Sequence, residues 1–209
     1  MKLYKILFED IDIGAFHGFG MKPQEMRVPS CDIEWQDMGD TSQGKGCPSF
    51  PGKGAIEDSE LTTAIEYLKD EKPKTMIAYS RGGAIMIKAL MNGAPKPGTI
   101  NFVAPAWKRS WATGLNGNVA SGNGMIVHGG MDDKVPLKHS VELAMASGLP
   151  LYVVPDANHV NILKHKMGGG TMVGAEKLKA GINELPDWGA KGAGKPEEVQ
   201  KQREWCNDL

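Results

Sequence analysis

Apolar positions along this chain gather in short runs that alternate with segments of helical periodicity. Residues 3–8 form a β-rich run around Leu3, Ile6 and Phe8 and predict a first strand. Residues 13–21 follow as a glycine-dense stretch, 27–35 hold a short strand, and 37–53, rich in Gly, Ser, Pro and Asp, predict loop. Over 57–69, Leu61, Ile65 and Leu68 share one face and acids open the first turn, which predicts a helix. A run at 75–79 predicts a strand, and after Ser80 an apolar segment continues to Leu90 as a helix, ended by Asn92-Gly93, Pro95 and Pro97. Strands are expected at 99–103, 125–128 and 151–154, with a helix at 137–147. Residues 104–123 connect two strands and carry Trp107 and Trp111. From about 160 to 183 the pattern is helical but broken at Gly168, Gly169 and Gly170, and a last helix is expected at 197–206. Strands alternating with helices call for a mostly parallel sheet with helices on both faces, a three-layer α/β/α sandwich.

A length of 209 residues suits one sizeable domain. We expect that domain over 1–185, followed over 186–209 by a Gly/Lys-rich linker and a short helix docked on the same body. The 27 glycines fit many tight connections between strands and helices. A net charge of −1, from 24 basic and 25 acidic residues, points away from nucleic acid and from anionic membranes as partners. No apolar run approaches the roughly 20 residues a bilayer span needs. Acids at positions 9, 10 and 12 interrupt the N-terminus before a signal-peptide core can form, so a cytoplasmic location is expected. Cys31, Cys47 and Cys206 are odd in number and show no C-x-x-C spacing, which favours free thiols over a Cys31–Cys47 bridge.

Ser80 stands where the strand at 75–79 meets its helix, with small residues two positions before it (Ala78) and two after (Gly82). A strand turning at once into a helix brings two backbones close together at those positions. It also strains the turn residue, exposes its side chain at the sheet edge and aims the helix N–H groups at the same spot. This is the pattern of a nucleophile elbow, although a small-x-Ser-x-Gly pentapeptide also occurs as an ordinary tight turn. A serine hydroxyl needs a base to take its proton, usually a histidine oriented by a carboxylate. Two later loops, each following a predicted strand, offer these groups: 128–136 carries Asp132, and 155–159 carries His159.

The order Ser80, Asp132, His159 and the loops that carry these residues resemble the α/β-hydrolase superfamily, from about His17 to about His159. Residues 128–136 meet that family's H-G-x-x-D-x-x-V-P pattern in full, and its register selects Asp132 over Asp133. The turn at His159 is a looser match, and Ala78 stands where the family usually has glycine. The resemblance implies an α/β-hydrolase fold whose N-terminal part is abbreviated, because the oxyanion loop arrives before residue 20. It implies no large cap domain, since 104–123 falls well short of the ~50 residues of a separate folding unit. It also implies an oxyanion hole built from the backbone amides of Arg81 and of Phe19 in the His17-Gly18-Phe19-Gly20 stretch, with Met21 the lesser candidate.

The function implied is that of a serine hydrolase, carboxylesterase-like or thioesterase-like, acting on a small-molecule acyl substrate. It would cleave an ester or thioester through a Ser80–His159–Asp132 triad with no cofactor and no metal. An acyltransferase or carbon–carbon hydrolase with the same triad, or a non-catalytic binding protein on this fold, are the alternatives. Trp107 and Trp111 lie four apart and can line an acyl pocket or pack in the core with equal reason. Of the other histidines, His17 is expected to shape the oxyanion loop and His128 to make a structural hydrogen bond. His139 and His165 are expected on exposed helix surface.

Overall fold

The computed structural model describes residues 13–19, 21, 48, 55–108, 123–164, 170–188 and 193–209. The strands expected at 3–8 and 27–35, most of the loop at 37–53, Cys31, Cys47, Trp111 and His165 lie outside the described residues.

The described strands are β1 (Ile13–Phe16), β2 (Thr75–Tyr79), β3 (Thr99–Val103), β4 (Asn123–Gly129), β5 (Leu151–Val154) and β6 (Thr171–Met172). The helices are α1 (Asp58–Asp70), α2 (Arg81–Met91), α3 (Leu137–Ser147), α4 (Ala175–Glu184) and α5 (Pro196–Asn207). The six strands form one sheet in the order β1-β2-β3-β4-β5-β6. The first five run parallel, with Ile13 opposite Thr75, Thr75 opposite Thr99 and Ile126 opposite Leu151. Only β6 is antiparallel, pairing Met172 with Tyr152. The fold is α/β with a mostly parallel sheet, as the alternating pattern predicts.

Alternation along each strand sorts side chains onto two faces. Met76, Ala78, Ile100, Phe102, Leu151 and Val153 join one buried cluster, together with Leu68 of α1, Ile85 of α2 and Leu143 of α3. Right-handed crossovers that step in one direction along a sheet deposit their helices on the same face, which is why α1, α2 and α3 share this cluster. Ile77, Tyr79, Val103, Val127 and Val154 point the other way and pack with Ala157 and Ile162. Each fully buried aliphatic side chain contributes about 1.5–3 kcal/mol to this arrangement.

Two expectations are corrected. Residues 13–16 form strand β1 where the sequence reads as a glycine-dense stretch, because Gly14 is a packing glycine here. A Cβ on it would lie 2.2 Å from the Tyr67 hydroxyl and 2.6 Å from Met76 Sδ. The helical region expected from 160 to 183 is instead a 3₁₀ turn (Ile162–Lys164), then β6, then α4. Gly170 lies so close to the Tyr152 ring that a Cβ would stand 2.4 Å from it, and the Val173 amide bonds the Leu151 carbonyl (2.9 Å), which carries the chain back along the sheet edge. Elsewhere among the described residues the periodicity reads true: α3 spans the predicted residues and ends at Gly148, whose φ of 72° is the left-handed conformation that stops a helix. Among the described residues no helix is long and apolar enough to cross a membrane.

Candidate active site

Ser80 joins β2 to α2 with φ 53° and ψ −118°, a conformation that a residue bearing a Cβ rarely adopts. Its backbone is tied on both sides. Its N–H bonds the Val103 carbonyl (2.9 Å), and its own carbonyl accepts from the amides of Gly83 (3.0 Å) and Ala106 (2.9 Å). The first turn of α2 lies hard against the end of β1: a Cβ on Gly82 would sit 2.2 Å from the Phe16 carbonyl oxygen. Only glycine allows that approach. Ala78, where the family pattern prefers glycine, is fully buried and its methyl joins the first cluster.

The structure brings Ser80, Asp132 and His159 together from three loops at the carboxyl ends of β2, β4 and β5. His159 Nδ1 lies 2.6 Å from Asp132 Oδ2, and its Nε2 lies 3.0 Å from Ser80 Oγ. A carboxylate can only accept, so Nδ1 carries a proton towards Asp132, and Nε2 stands where it can accept from the serine hydroxyl. The second carboxylate oxygen, Oδ1, accepts from the amides of Lys134 (2.8 Å) and Val135 (2.9 Å). Burial by itself raises the Asp132 pKa. The hydrogen bond from His159, the nearby His128 and the Val135 amide outweigh it and hold the group below its ordinary 3.8. Asp132 is therefore an anion at neutral pH.

The loops bearing Asp132 and His159 are sewn to each other. Gly130 N–H bonds the Val154 carbonyl (2.8 Å) and Met131 N–H bonds the Ala157 carbonyl (2.9 Å). His128, fully buried, braces the first loop from within: its Nε2 donates to the Val135 carbonyl (3.0 Å) and its Nδ1 meets Ser140 Oγ (2.7 Å). Burial drives its pKa down to about 4, against the opposing pull of Asp132, so the ring is neutral and the Ser140 hydroxyl donates to Nδ1.

Arg81 is the first residue of α2, where helix N–H groups have no partner within the helix. Its guanidinium is buried against Glu60 of α1, with Nη1–Oε1 at 2.8 Å and Nη2–Oε2 at 2.5 Å, and Nη2 also donates to the Ala55 carbonyl. Phe19 occupies a turn just after β1 and is 57% exposed. The Met21 amide is committed to the Gly18 carbonyl (3.3 Å), which leaves Phe19 as the better-placed donor of the two candidates. His17 is buried, with Nδ1 2.8 Å from the Gly18 carbonyl.

Trp107 lies in the first cluster, almost fully buried. His139, expected on the surface, is buried beside it: the Trp107 amide donates to His139 Nδ1 (3.3 Å), and His139 Nε2 lies 3.5 Å from Asp187. The face of α3 that carries it turns inward, which helical periodicity on its own does not reveal. Among the described residues no group of three or more His, Cys, Asp or Glu is placed to hold a metal.

Two site neighbours escape sequence reasoning. Tyr79 stacks on the His159 ring, and Glu60 grips Arg81. Neither pairing is local, and no motif marks it.

Neither a family model nor a curated protein matches the sequence. Among solved structures the chain is similar to a crystal structure of a predicted CIB-like hydrolase from Thermoplasma acidophilum. The two are 22% identical over 82% of this chain and 84% of that one, with a TM-score of 0.53. At that identity the likeness is one of fold: the chain shares a mostly parallel α/β architecture with that protein.

Proposed function

We propose that this protein is a serine hydrolase that cleaves a carboxylic ester or thioester. The observation that carries the reading is the unbroken relay from Ser80 Oγ through His159 to the buried Asp132. Ser80 attacks the acyl carbon while His159 Nε2 takes its proton. Asp132 keeps the ring in the tautomer that can do so and balances the imidazolium that forms. The oxyanion of the tetrahedral intermediate is held by the amides of Arg81 and Phe19, each such donor being worth about 3–4 kcal/mol in the transition state. Collapse breaks the bond to the leaving alcohol or thiol, which His159 protonates. Water then attacks the acyl-enzyme by the same steps in reverse. The 104–123 connection is shorter than the ~50 residues of a separate accessory domain, which favours an ester or thioester over a peptide by analogy. The predicted hydrolase that shares this fold adds analogy in the same direction.

The test is labelling with a fluorescent fluorophosphonate, which reacts only with an activated serine. Labelling of the native chain, lost in Ser80→Ala and His159→Ala, with turnover of p-nitrophenyl esters, is the expected result. A folded native chain that neither labels nor turns over any ester of the series would overturn the reading.

A further inference from the structure

Helix α5 and the residue two before it bond four backbone groups in and beside the Asp132 loop. Gln202, fully buried on α5, accepts from the Leu137 amide at Oε1 (2.7 Å). Its Nε2 donates to the Gly130 carbonyl and to the Asp132 carbonyl, both at 3.1 Å. The Gly194 amide bonds the Asp133 carbonyl (2.7 Å). The helix also lies so close that a Cβ on Gly130 would stand 3.1 Å from Cys206 Sγ. One amide side chain thus reaches both ends of the turn, from Gly130 to the first residue of α3, and grips the peptide of Asp132 in between.

We propose that Gln202 is a positioning residue for Asp132, which makes the C-terminal helix part of the catalytic apparatus. The proposal rests on the serine-hydrolase reading above. The His159 loop fixes the inner side of the turn through the amides of Gly130 and Met131, and Gln202 fixes the outer side through carbonyls. Between the two, Asp132 can neither rotate its carboxylate away from His159 nor drop the amides of Lys134 and Val135. A buried polar side chain is retained where its groups are satisfied, and the amide of Gln202 uses its oxygen and its nitrogen on this loop alone among the described residues. An apolar side chain of the same length would fill the space and leave the turn untied.

The experiment compares Gln202→Met with the native chain and with Val173→Ala. Val173 is buried in the first cluster, so that variant measures the effect of lost packing alone. Melting temperature, kcat and KM for a p-nitrophenyl ester, and hydrogen exchange at the Lys134 and Val135 amides are followed for each. In Gln202→Met, kcat falls about tenfold or more while KM stays within about twofold, as expected for a displaced orienting group. Exchange at Lys134 and Val135 quickens while the amide of Ile77, in the middle of β2, keeps its protection. Val173→Ala lowers the melting temperature and shows neither effect. If Gln202→Met behaves like Val173→Ala, or if exchange quickens with kcat unchanged, the proposal is wrong. Should Gln202→Met fail to fold, Gln202→Leu, which also removes the acceptor and both donors but leaves a smaller side chain, is judged on the same readouts. A native chain without ester turnover would overturn the serine-hydrolase reading. The exchange result at Lys134 and Val135 would still decide, on its own, whether Gln202 holds the loop.

Discussion

Tyr79 holds His159 at two points: the rings stack 5.0 Å apart at 29°, and the tyrosine hydroxyl donates to the His159 backbone carbonyl at 2.5 Å. Burial first, and then the charge of Asp132, raise the Tyr79 pKa far above its ordinary 10, so the hydroxyl stays protonated and remains a donor. The Gly18 backbone lies against the same ring, where a Cβ would stand 2.9 Å away. One side chain thus links the loop after β1, the turn at Ser80 and the ring of His159.

Tyr79→Phe keeps the stack and removes the hydrogen bond. A single such bond is worth about 1 kcal/mol, so kcat and the rate of fluorophosphonate labelling should fall about two- to tenfold. Tyr79→Leu, which removes the ring as well, should fall further. Equal rates in all three chains would mean that His159 is held by its own loop.

Asp132→Asn keeps an acceptor for the Lys134 and Val135 amides but removes the charge and puts a donor in reach of His159. The ring then takes the other tautomer, with Nε2 protonated and unable to accept from Ser80. Ester turnover should drop about 10⁴-fold with little change in melting temperature. Asp133→Asn should leave turnover within about twofold, since the Asp133 side chain pairs with the exposed Lys134 ammonium instead.

Stability should decline as pH falls from 6.5 towards 4. His128 is neutral when folded down to about pH 4, whereas in the unfolded chain it takes up a proton near its ordinary 6.5. Within that window the unfolded state binds the extra proton, so folding weakens as acid is added, by up to about 3 kcal/mol. Thermal melts across this range check it. In His128→Gln the slope should flatten, leaving the part due to His139, whose pKa burial also lowers, and at the acid end that of Asp132, whose pKa is held down in the folded chain.

Gly82→Ala should be among the most damaging single-methyl changes in the chain. The new Cβ would meet the backbone of β1 rather than a side chain that can swing away, and overpacking of that kind costs about 3 kcal/mol. Melting temperature and labelling should fall together. Gly174→Ala, with nothing within 4 Å of the new Cβ, should leave labelling unchanged and lower the melting temperature far less, by no more than the loss of a glycine N-cap on α4.

Trp107→Ala tests whether that ring is core or pocket. As a core residue it should cost about 3–5 kcal/mol in stability and leave the preference among esters of rising chain length unchanged.

Much of this molecule can be read along the chain. The strands at 75–79, 99–103 and 151–154 and the helix at 137–147 follow from apolar periodicity, which is a local property of the backbone. The elements that periodicity missed have equally physical causes. At β1 a glycine that signals a loop in sequence is a packing glycine under Tyr67, and around β6 a glycine break turns a helical pattern back onto the sheet edge. His139 reads as helix surface because nothing in its neighbourhood records that Trp107 and Asp187 will meet it.

By itself the sequence determined the alternation of strand and helix, the tight turn at Ser80 and the order in which Ser80, Asp132 and His159 arrive. Each is set by residues within a few positions of one another. Tertiary structure alone decided that Tyr79 would stack on a ring 80 positions later, that Glu60 would hold Arg81, and that Gln202 would reach back to the loop of Asp132. Those pairings depend on how the sheet orders its strands and on which helix faces turn inward, and these are settled by burying apolar surface over the whole chain at once.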